Sequence, residues 1–412
     1  MIYNKNIAQA IQNSKTLVIE NGWLEKRRQM IIKKSLMGLV AVVLILGFAI
    51  ACAPVATPVP EVQPTAAPVV PATEAPTAVP TATPIVITDT IGHTVTFDTL
   101  PQRIVIAGKA TSLLLNTLYM FPEAKERLAA YELRQQTAAN FAVVVDPGLS
   151  TKMKLETNAG PEQIAPAKPD VVILKSSMEE KLGKPLEAIG IKVVYVDMET
   201  PEKFYADIRN LGTILGDPTR AEEIVAFYQS KTTAISDKVA GMKEGDKPSV
   251  LLLQYSSKDN TIAFNVPPVE WLQTLMVSST GGTPVWTDAA DSGGWTVVTL
   301  EQIAVWNPEI IFIVDYSGNA VDVAAKLRTD SQWKELKAVK NGQLFAFPTD
   351  FLSWDQPDSR WILGMTWAAA KIHPDLFPDI KITDEITSFY KSLYKMDDKV
   401  ITDQILPLYR GD

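Results

Sequence analysis

Cysteine is almost missing from this chain: Cys52 is the only one. A single thiol excludes an intrachain disulfide and a structural zinc site built on thiolates. Histidine is nearly as scarce. His93 and His373 stand far apart, which argues against a His-rich transition-metal site and against a His-based catalytic triad; His93 itself reads as structural. Basic charge is short too, with 39 Lys and Arg against 47 Asp and Glu, so the basic face that nucleic-acid binding needs is lacking. Nor does the chain carry Gly-x-Ser-x-Gly, a phosphate-binding loop or Gly-x-Gly-x-x-Gly. Carboxylates such as Asp355 and Asp358 remain for acid–base work, but their spacing carries no specific signal. No catalytic residue, cofactor or resident metal is therefore expected. What is present is an ordinary globular mixture, 46% hydrophobic and 21% charged, sufficient for a core. Length alone allows one to three domains.

The first 52 residues read as an address. Lys26, Arg27, Arg28, Lys33 and Lys34 form a basic cluster, an uncharged apolar run follows from Ser35 to Ala51, and Cys52 ends it. A positive region, an apolar region and small residues at the cut are the order of a secretory signal. Ala49 to Cys52 resembles a bacterial lipobox, whose cysteine receives the lipid. The leucine usual at the place of Ala49 is missing, so a retained membrane anchor stays open as the alternative, although the run is a little short for a comfortable span. Either way the bulk of the chain is expected outside the cytoplasmic membrane. Met30 begins a normal signal sequence, which makes Met1 to Gln29 an expected upstream extension of the reading frame. Residues 53–84 are almost wholly Pro, Ala, Thr and Val. Such a composition favours extended, polyproline-like chain over a packed core, and at ~3.1 Å per residue it reaches roughly 100 Å. A stalk and plain disordered filler both fit it.

From Ile85 the pattern changes. Ile85–Thr88 and Thr94–Phe97 alternate apolar and polar residues around Gly92, which predicts a hairpin. Arg103–Ala107, Asp170–Leu174 and Lys192–Val196 are short, nearly continuous apolar runs, the pattern of strands buried on both faces of a parallel sheet. Helical stretches between them complete βαβ units. The spacing predicts helices over Pro201–Leu215, capped by Thr200 and stopped at Gly216, and from Pro218 to about Val239. The strand rhythm restarts at Ser249–Leu253, Ile310–Val314 and Gln343–Phe347. The expected fold class is α/β, with one lobe over 85–200, connecting helices over 201–247 and a second lobe over 248–412.

A repeat supports two related lobes. Glu162-Gln163-Ile164-Ala165, then Lys168-Pro169-Asp170 and a strand, is matched at identical spacing by Glu301-Gln302-Ile303-Ala304, then Asn307-Pro308-Glu309 and a strand. Asp89–Val95 ahead of Pro101–Val105, Gly281-Gly282, Ser353-Trp354-Asp355 and Arg360–Gly364 complete an ordered set. In that order the set resembles the iron-siderophore and vitamin B12 class of periplasmic binding proteins, over most of Ile85 to about Tyr394. The resemblance implies two doubly wound, Rossmann-like lobes joined by one long helix, with limited hinge closure and a ligand cleft between them. It also implies a partner, an ABC permease in the membrane whose basic pockets receive Glu162 and Glu301. Paired rim charges suit such docking because they fix orientation and speed encounter. Both residues equally suit the electrostatics of a helix N-terminus.

Ligands of open α/β sheets bind outside the carboxyl ends of the strands. That rule selects Lys109, Thr111, Ser112, Lys175 and Ser176 in the first lobe, and Tyr255, Ser256, Tyr316 and Trp354 in the second. Trp295, after Ser292-Gly293-Gly294, sits on a loop that can face the cleft. Ser112 is as well suited to capping a helix as to touching ligand. Arg360 can grip a carboxylate or oxyanion and can equally pair with Asp355 or Asp358. The chain thus reads as an extracytoplasmic, lipid-anchored receptor of an ABC importer, monomeric and held to the membrane through Cys52. An iron complex of the siderophore kind is the expected small-molecule cargo; corrinoid, haem and an oxyanion such as molybdate or tungstate are the alternatives. The rivals from other classes are an enzyme and a surface adhesin or structural lipoprotein. A free zinc or manganese receptor is opposed by the shortage of histidine.

Overall fold

Ile85–Thr88 (β1) and Thr94–Phe97 (β2) pair antiparallel across a turn in which Gly92 takes a φ of 82°, a region glycine enters without steric penalty. This computed structural model describes residues 84–134, 139–258 and 261–412. All belong to the second of the chain's two units, Val79–Asp412. The basic cluster, the apolar run, Cys52 and the linker through residue 83 therefore lie outside the described residues.

The first lobe is a five-stranded sheet of Ile104–Ile106 (β3), Leu128–Glu132 (β4), Met153–Leu155 (β5), Val171–Lys175 (β6) and Val193–Val196 (β7), ordered β5-β4-β3-β6-β7 with every pair parallel. Val105, Val172, Leu174 and Val193 face one layer; Ile104, Ile106, Val171, Ile173 and Val194 face the other. A strand covered on both sides has no polar face to show, which is why these segments read as unbroken apolar runs. β4 escaped the sequence reading. Leu128-Ala129-Ala130-Tyr131-Glu132 follows the helical turn Ala124–Arg127 and its alanines favour helix. Pairing on both edges, with β3 and β5, overrides that preference.

The second lobe is built on Ser249–Lys258 (β8), Thr261–Val266 (β9), Thr283–Pro284 (β10), Thr296–Val298 (β11), Ile310–Val314 (β12) and Leu344–Ala346 (β13). Its order is β11-β9-β8-β12-β13, with β10 also on β8. β8, β12 and β13 run parallel, whereas β9 and β11 are antiparallel to their neighbours. The sequence placed a loop at Tyr255–Ser257; instead β8 runs on to Lys258 and pairs with β9 in a hairpin.

The helices that matter for the cleft are Thr111–Leu118 (α1), Phe141–Val145 (α2), Pro161–Ile164 (α3), Pro201–Leu215 (α4), Pro218–Val239 (α5), Leu272–Ser279 (α6), Leu300–Trp306 (α7), Trp361–Ile372 (α8) and Ile382–Tyr394 (α9). The sequence marks the ends of α4 and α5 closely. Thr200 Oγ1 accepts from Lys203 N at 3.2 Å, Gly216 stops α4 at φ 71°, and Asp217 Oδ1 accepts from Arg220 N at 2.9 Å to start α5. Each such cap contributes about 1 kcal/mol.

One continuous apolar cluster joins the lobes. At its centre Trp361 of α8 meets Phe204 of α4 at 5.7 Å and Tyr228 of α5 at 5.1 Å between ring centroids. Phe141 of α2 meets Tyr394 of α9 edge-on at 4.7 Å and Phe351 at 5.2 Å. Polar ties reinforce the rings. Buried Arg220 donates to the carbonyls of Met120 at 3.1 Å, Ser392 at 2.9 Å and Leu393 at 2.7 Å. The Tyr394 hydroxyl donates to Asn116 O at 2.9 Å. Aromatic pairs contribute roughly 0.5–1.5 kcal/mol each beyond the area they bury, so the junction is a core in its own right.

Candidate functional site

The first wall of the site comes from the loops after β3 and β4. Gly108, at φ 85°, turns the chain out of β3, and its N–H donates to the buried carboxylate of Glu132 at 2.9 Å. Glu132 also accepts from Asn158 N and from Arg134 Nε, both at 3.0 Å. That carboxylate ties three loops together. Ser112 and Asn116 of α1, then Leu133, Ala139, Asn140 and Phe141, line a small cavity closed from the other lobe by Phe351 and Leu352. The space it encloses is about 20 Å³, room for about one water. Ser112 Oγ donates to Arg134 O, and Asn140 caps α2 by accepting from Ala142 N at 3.1 Å.

Arg360 lies behind this cavity. Its guanidinium stands 4.3 Å from the Phe141 ring centroid and 5.7 Å from that of Phe351. Nε meets Asp350 at 2.8 Å and donates to the Tyr390 hydroxyl at 3.0 Å; Nη1 donates to Asp358 at 2.8 Å. Nη2 is buried without a hydrogen-bond partner. Burial works against the charge, but Asp350, Tyr390 and Asp358 outweigh it and hold the guanidinium firmly protonated. Burial pushes the Asp358 carboxyl up, with Arg360 pulling it back.

A second wall belongs to the C-terminal lobe. Trp271, Trp295 and Tyr316 form an edge-to-face row, with centroids 5.8 and 6.1 Å apart, and all three are half-buried. Asp355, fully buried, fixes it: it accepts from Tyr316 Oη at 2.9 Å, Ser353 Oγ at 2.5 Å and Gln273 Nε2 at 3.3 Å. Burial raises the Asp355 carboxyl despite these donors. The Tyr316 hydroxyl is raised by burial and by Asp355, with a smaller push from Glu199 of the opposite lobe, so the loop after β7 faces this wall.

The residues selected from the sequence separate into groups. Ser112 lines the cavity, and Trp295 and Tyr316 form the aromatic wall. Lys109 is exposed on the loop beside Gly108, and Ser176 is half-buried at the end of β6. Lys175 is buried and committed, donating to Asp197 O and pairing with Glu199 at 2.6 Å. Thr111 and Trp354 are fully enclosed, Trp354 stacked on Tyr409 at 5.4 Å. Arg360 is enclosed as well, paired with Asp350 and Asp358 rather than with Asp355. Tyr255 lies in a different groove with Phe264 and Trp333. Ser256 lies in the β8–β9 ladder, where its hydroxyl accepts from Asn265 Nδ2 at 3.3 Å. A loop was expected at both positions, and the longer strand is the reason they sit elsewhere. Asn116, Asn140, Phe141 and Phe351 were missed. The signal for Asn140 and Phe141 was the strand β4: once it is recognised, the carboxyl-end rule points to the segment that follows it.

The repeated segments are alike in atomic detail. The 3-10 turn Ala165–Ala167 that continues α3, and α7 itself, each end in a left-handed residue, Lys168 at φ 47° and Asn307 at φ 40°, ahead of the proline. Asp170 Oδ2 then accepts from Arg103 N at 2.9 Å, and Glu309 Oε2 from Ser249 N at 2.9 Å. In both lobes the acid thus clasps the start of the adjacent strand. Glu162 and Glu301 are exposed on the first turns of α3 and α7. The backbone N–H of Glu301 and the Thr299 hydroxyl hold the Glu301 carboxyl below its usual range.

Comparison with known proteins agrees with this architecture. Residues 119–351, more than half of the chain, match the periplasmic binding protein family. The chain belongs to that family, within its iron-siderophore and vitamin B12 class. It is 21% identical over 338 residues to the molybdate-binding protein MolA of Haemophilus influenzae, covering 75% of this chain and 91% of that one. It is 27% identical over 229 residues to the ABC transporter substrate-binding lipoprotein YvrC of Bacillus subtilis, itself uncharacterized, covering 54% and 68%. Among solved structures, a periplasmic solute binding protein from Veillonella parvula superposes with a TM-score of 0.61 at 26% identity, over 78% of this chain and 97% of that one. The relatives are transporter substrate-binding proteins, not enzymes, and the substrate-binding role in an ABC importer, with a membrane permease as partner, is the role of this chain.

Proposed function

We propose that the cargo of this receptor is a compact polar solute, foremost a tetrahedral oxyanion of the molybdate kind. The observation that carries this reading is the polar lining of the interlobe cavity. The enclosed space, about 20 Å³, is far below the ~300–1,000 Å³ of sites for drug-sized ligands, so in this reading the lobes part slightly to admit even a compact solute. Its polar groups are the Ser112 hydroxyl and the Asn116 and Asn140 amides, with a permanently charged guanidinium one ring behind them. The MolA relative, matched over nearly its whole length, binds molybdate by name. A second reading, the iron complex expected from the sequence, is favoured by the half-buried row Trp271–Trp295–Tyr316, since flat rings offer large contact area to a bulky planar ligand at small entropic cost.

In the same proposal Cys52 is the lipid anchor, the chain acts as a monomer outside the cytoplasmic membrane, and Glu162 and Glu301 dock on the permease. The deciding experiment is thermal denaturation of the 79–412 unit with molybdate, tungstate, ferric siderophores, cobalamin and haemin. A ligand at a hundredfold excess over Kd adds about 2.7 kcal/mol. A saturable shift with molybdate or tungstate alone supports the oxyanion reading. A shift with a ferric complex alone replaces it, and no shift with any ligand defeats both.

A further inference from the structure

Asp207 attracted no notice in the sequence. It lies in the second turn of α4 and is buried to 1% exposure. Its Oδ2 accepts from the backbone N–H of Asp197 at 2.8 Å and of Met198 at 3.0 Å. Its Oδ1 is buried with no hydrogen-bond partner. Met198 is held at φ 59°, a left-handed conformation that a long side chain adopts only when its surroundings impose it.

The segment so held is the loop leaving the carboxyl end of β7, the edge at which open sheets bind ligands. Everything charged on that loop is organised around it. Asp197 O accepts from Lys175 Nζ, Glu199 pairs with Lys175 at 2.6 Å, and Asp197 pairs with Lys203 at 2.7 Å. Glu199 is the residue whose charge reaches Tyr316 across the cleft. We propose that Asp207 is the positioning residue of the N-lobe wall of the cleft, holding the β7–α4 loop, and through it the partly exposed Glu199 that buried Lys175 anchors, in the arrangement that the ligand meets. This inference rests on the cleft being the ligand site.

The charged groups facing Asp207 are Lys175 from β6, Asp197 from the loop and Lys203 from its own helix. Burial pushes its carboxyl up to about 7, with the two N–H donors and Lys175 pulling it back. A carboxyl raised in the folded state favours folding while it is protonated. Its contribution therefore declines as pH rises from the unfolded value near 4 to about 7, and is flat above that. Ionisation also places a negative charge near the cleft, which weakens capture of an anion.

The test compares the full-length wild type with D207N in mild detergent. Without ligand, the wild-type Tm should fall by several degrees relative to D207N between pH 5 and pH 8. With sodium molybdate as probe, wild-type affinity should weaken roughly three- to tenfold from pH 6 to pH 8, and the step should be absent in D207N. Identical pH profiles for the two proteins in both measurements overturn the proposal. If the wild type takes up no molybdate at either pH, the cargo reading fails, while the ligand-free profiles still decide the role of Asp207. Should D207N not fold, K175M decides: removing the facing cation must move the stability step to higher pH, and an unmoved step overturns the assignment.

Discussion

The two lobes share a repeat but meet the cleft with different chemistry. The five-stranded sheet of the N-terminal lobe is all-parallel, and the lobe contributes hydroxyls, amides and a carboxylate-tied set of loops. The C-terminal lobe holds eight of the nine tryptophans and contributes rings, a buried guanidinium and its two acids. The part the lobes have in common is the outer end, where Asp170 and Glu309 clasp neighbouring strands. The difference is concentrated at the opposite, carboxyl ends of the strands. A duplicated scaffold can keep the features that close its core while the ligand edges diverge, because turn and clasp depend on backbone geometry and the binding edge does not.

The sharpest way to break the comparison is to remove an arginine from each lobe. R360L strands Asp350 and Asp358 in the interior and should destabilise the protein by about 3–5 kcal/mol. R134L leaves Glu132 with two backbone donors and should lose only about 1–2 kcal/mol. Urea denaturation measures both, and equal losses would erase the distinction drawn here. At the junction, Y228F removes the hydroxyl that donates to Ser359 O and should lower stability by about 1 kcal/mol without splitting the transition in two. Ligand titration then asks which wall carries recognition. S112A should weaken molybdate binding by roughly three- to tenfold, the worth of one hydrogen bond, and Y316F by less. The reverse order would move the site to the aromatic wall and favour the iron complex. The smallest effect on the purified protein is expected for E162Q and E301Q, which should leave affinity unchanged and lower Tm only slightly, through the helix ends, yet depress uptake by cells or permease vesicles. Normal uptake by the double variant would leave these residues with their helix role alone.

Much of the scaffold was legible because its signals are local. Thr200, Pro201, Gly216, Asp217 and Pro218 act on the backbone within a turn of themselves, and they placed the ends of two helices closely. The repeat was visible for the same reason. β4 was not, because alanine-rich Leu128–Glu132 becomes a strand only through its neighbours, and losing it hid Asn140 and Phe141. The carboxyl-end rule reached Ser112 and Tyr316 but not the length of β8, which sets where Tyr255 and Ser256 lie. Asp207 was out of reach altogether, since nothing in a helical sequence announces that one acid will turn inward to hold the loop that leads into its own helix.

The ties made by Arg220 and Tyr394 bear on the life of the chain before it is folded. Asn116 and Met120, in the first third of the sequence, are completed by Ser392, Leu393 and Tyr394 near its end. Contacts so far apart in sequence form late and slow folding. The first lobe cannot finish its inner surface until the end of α9 has joined it. A chain made from its N-terminus is thereby kept loose at this edge until nearly all of it has left the ribosome, and the arrival of α9 is the step that completes the junction.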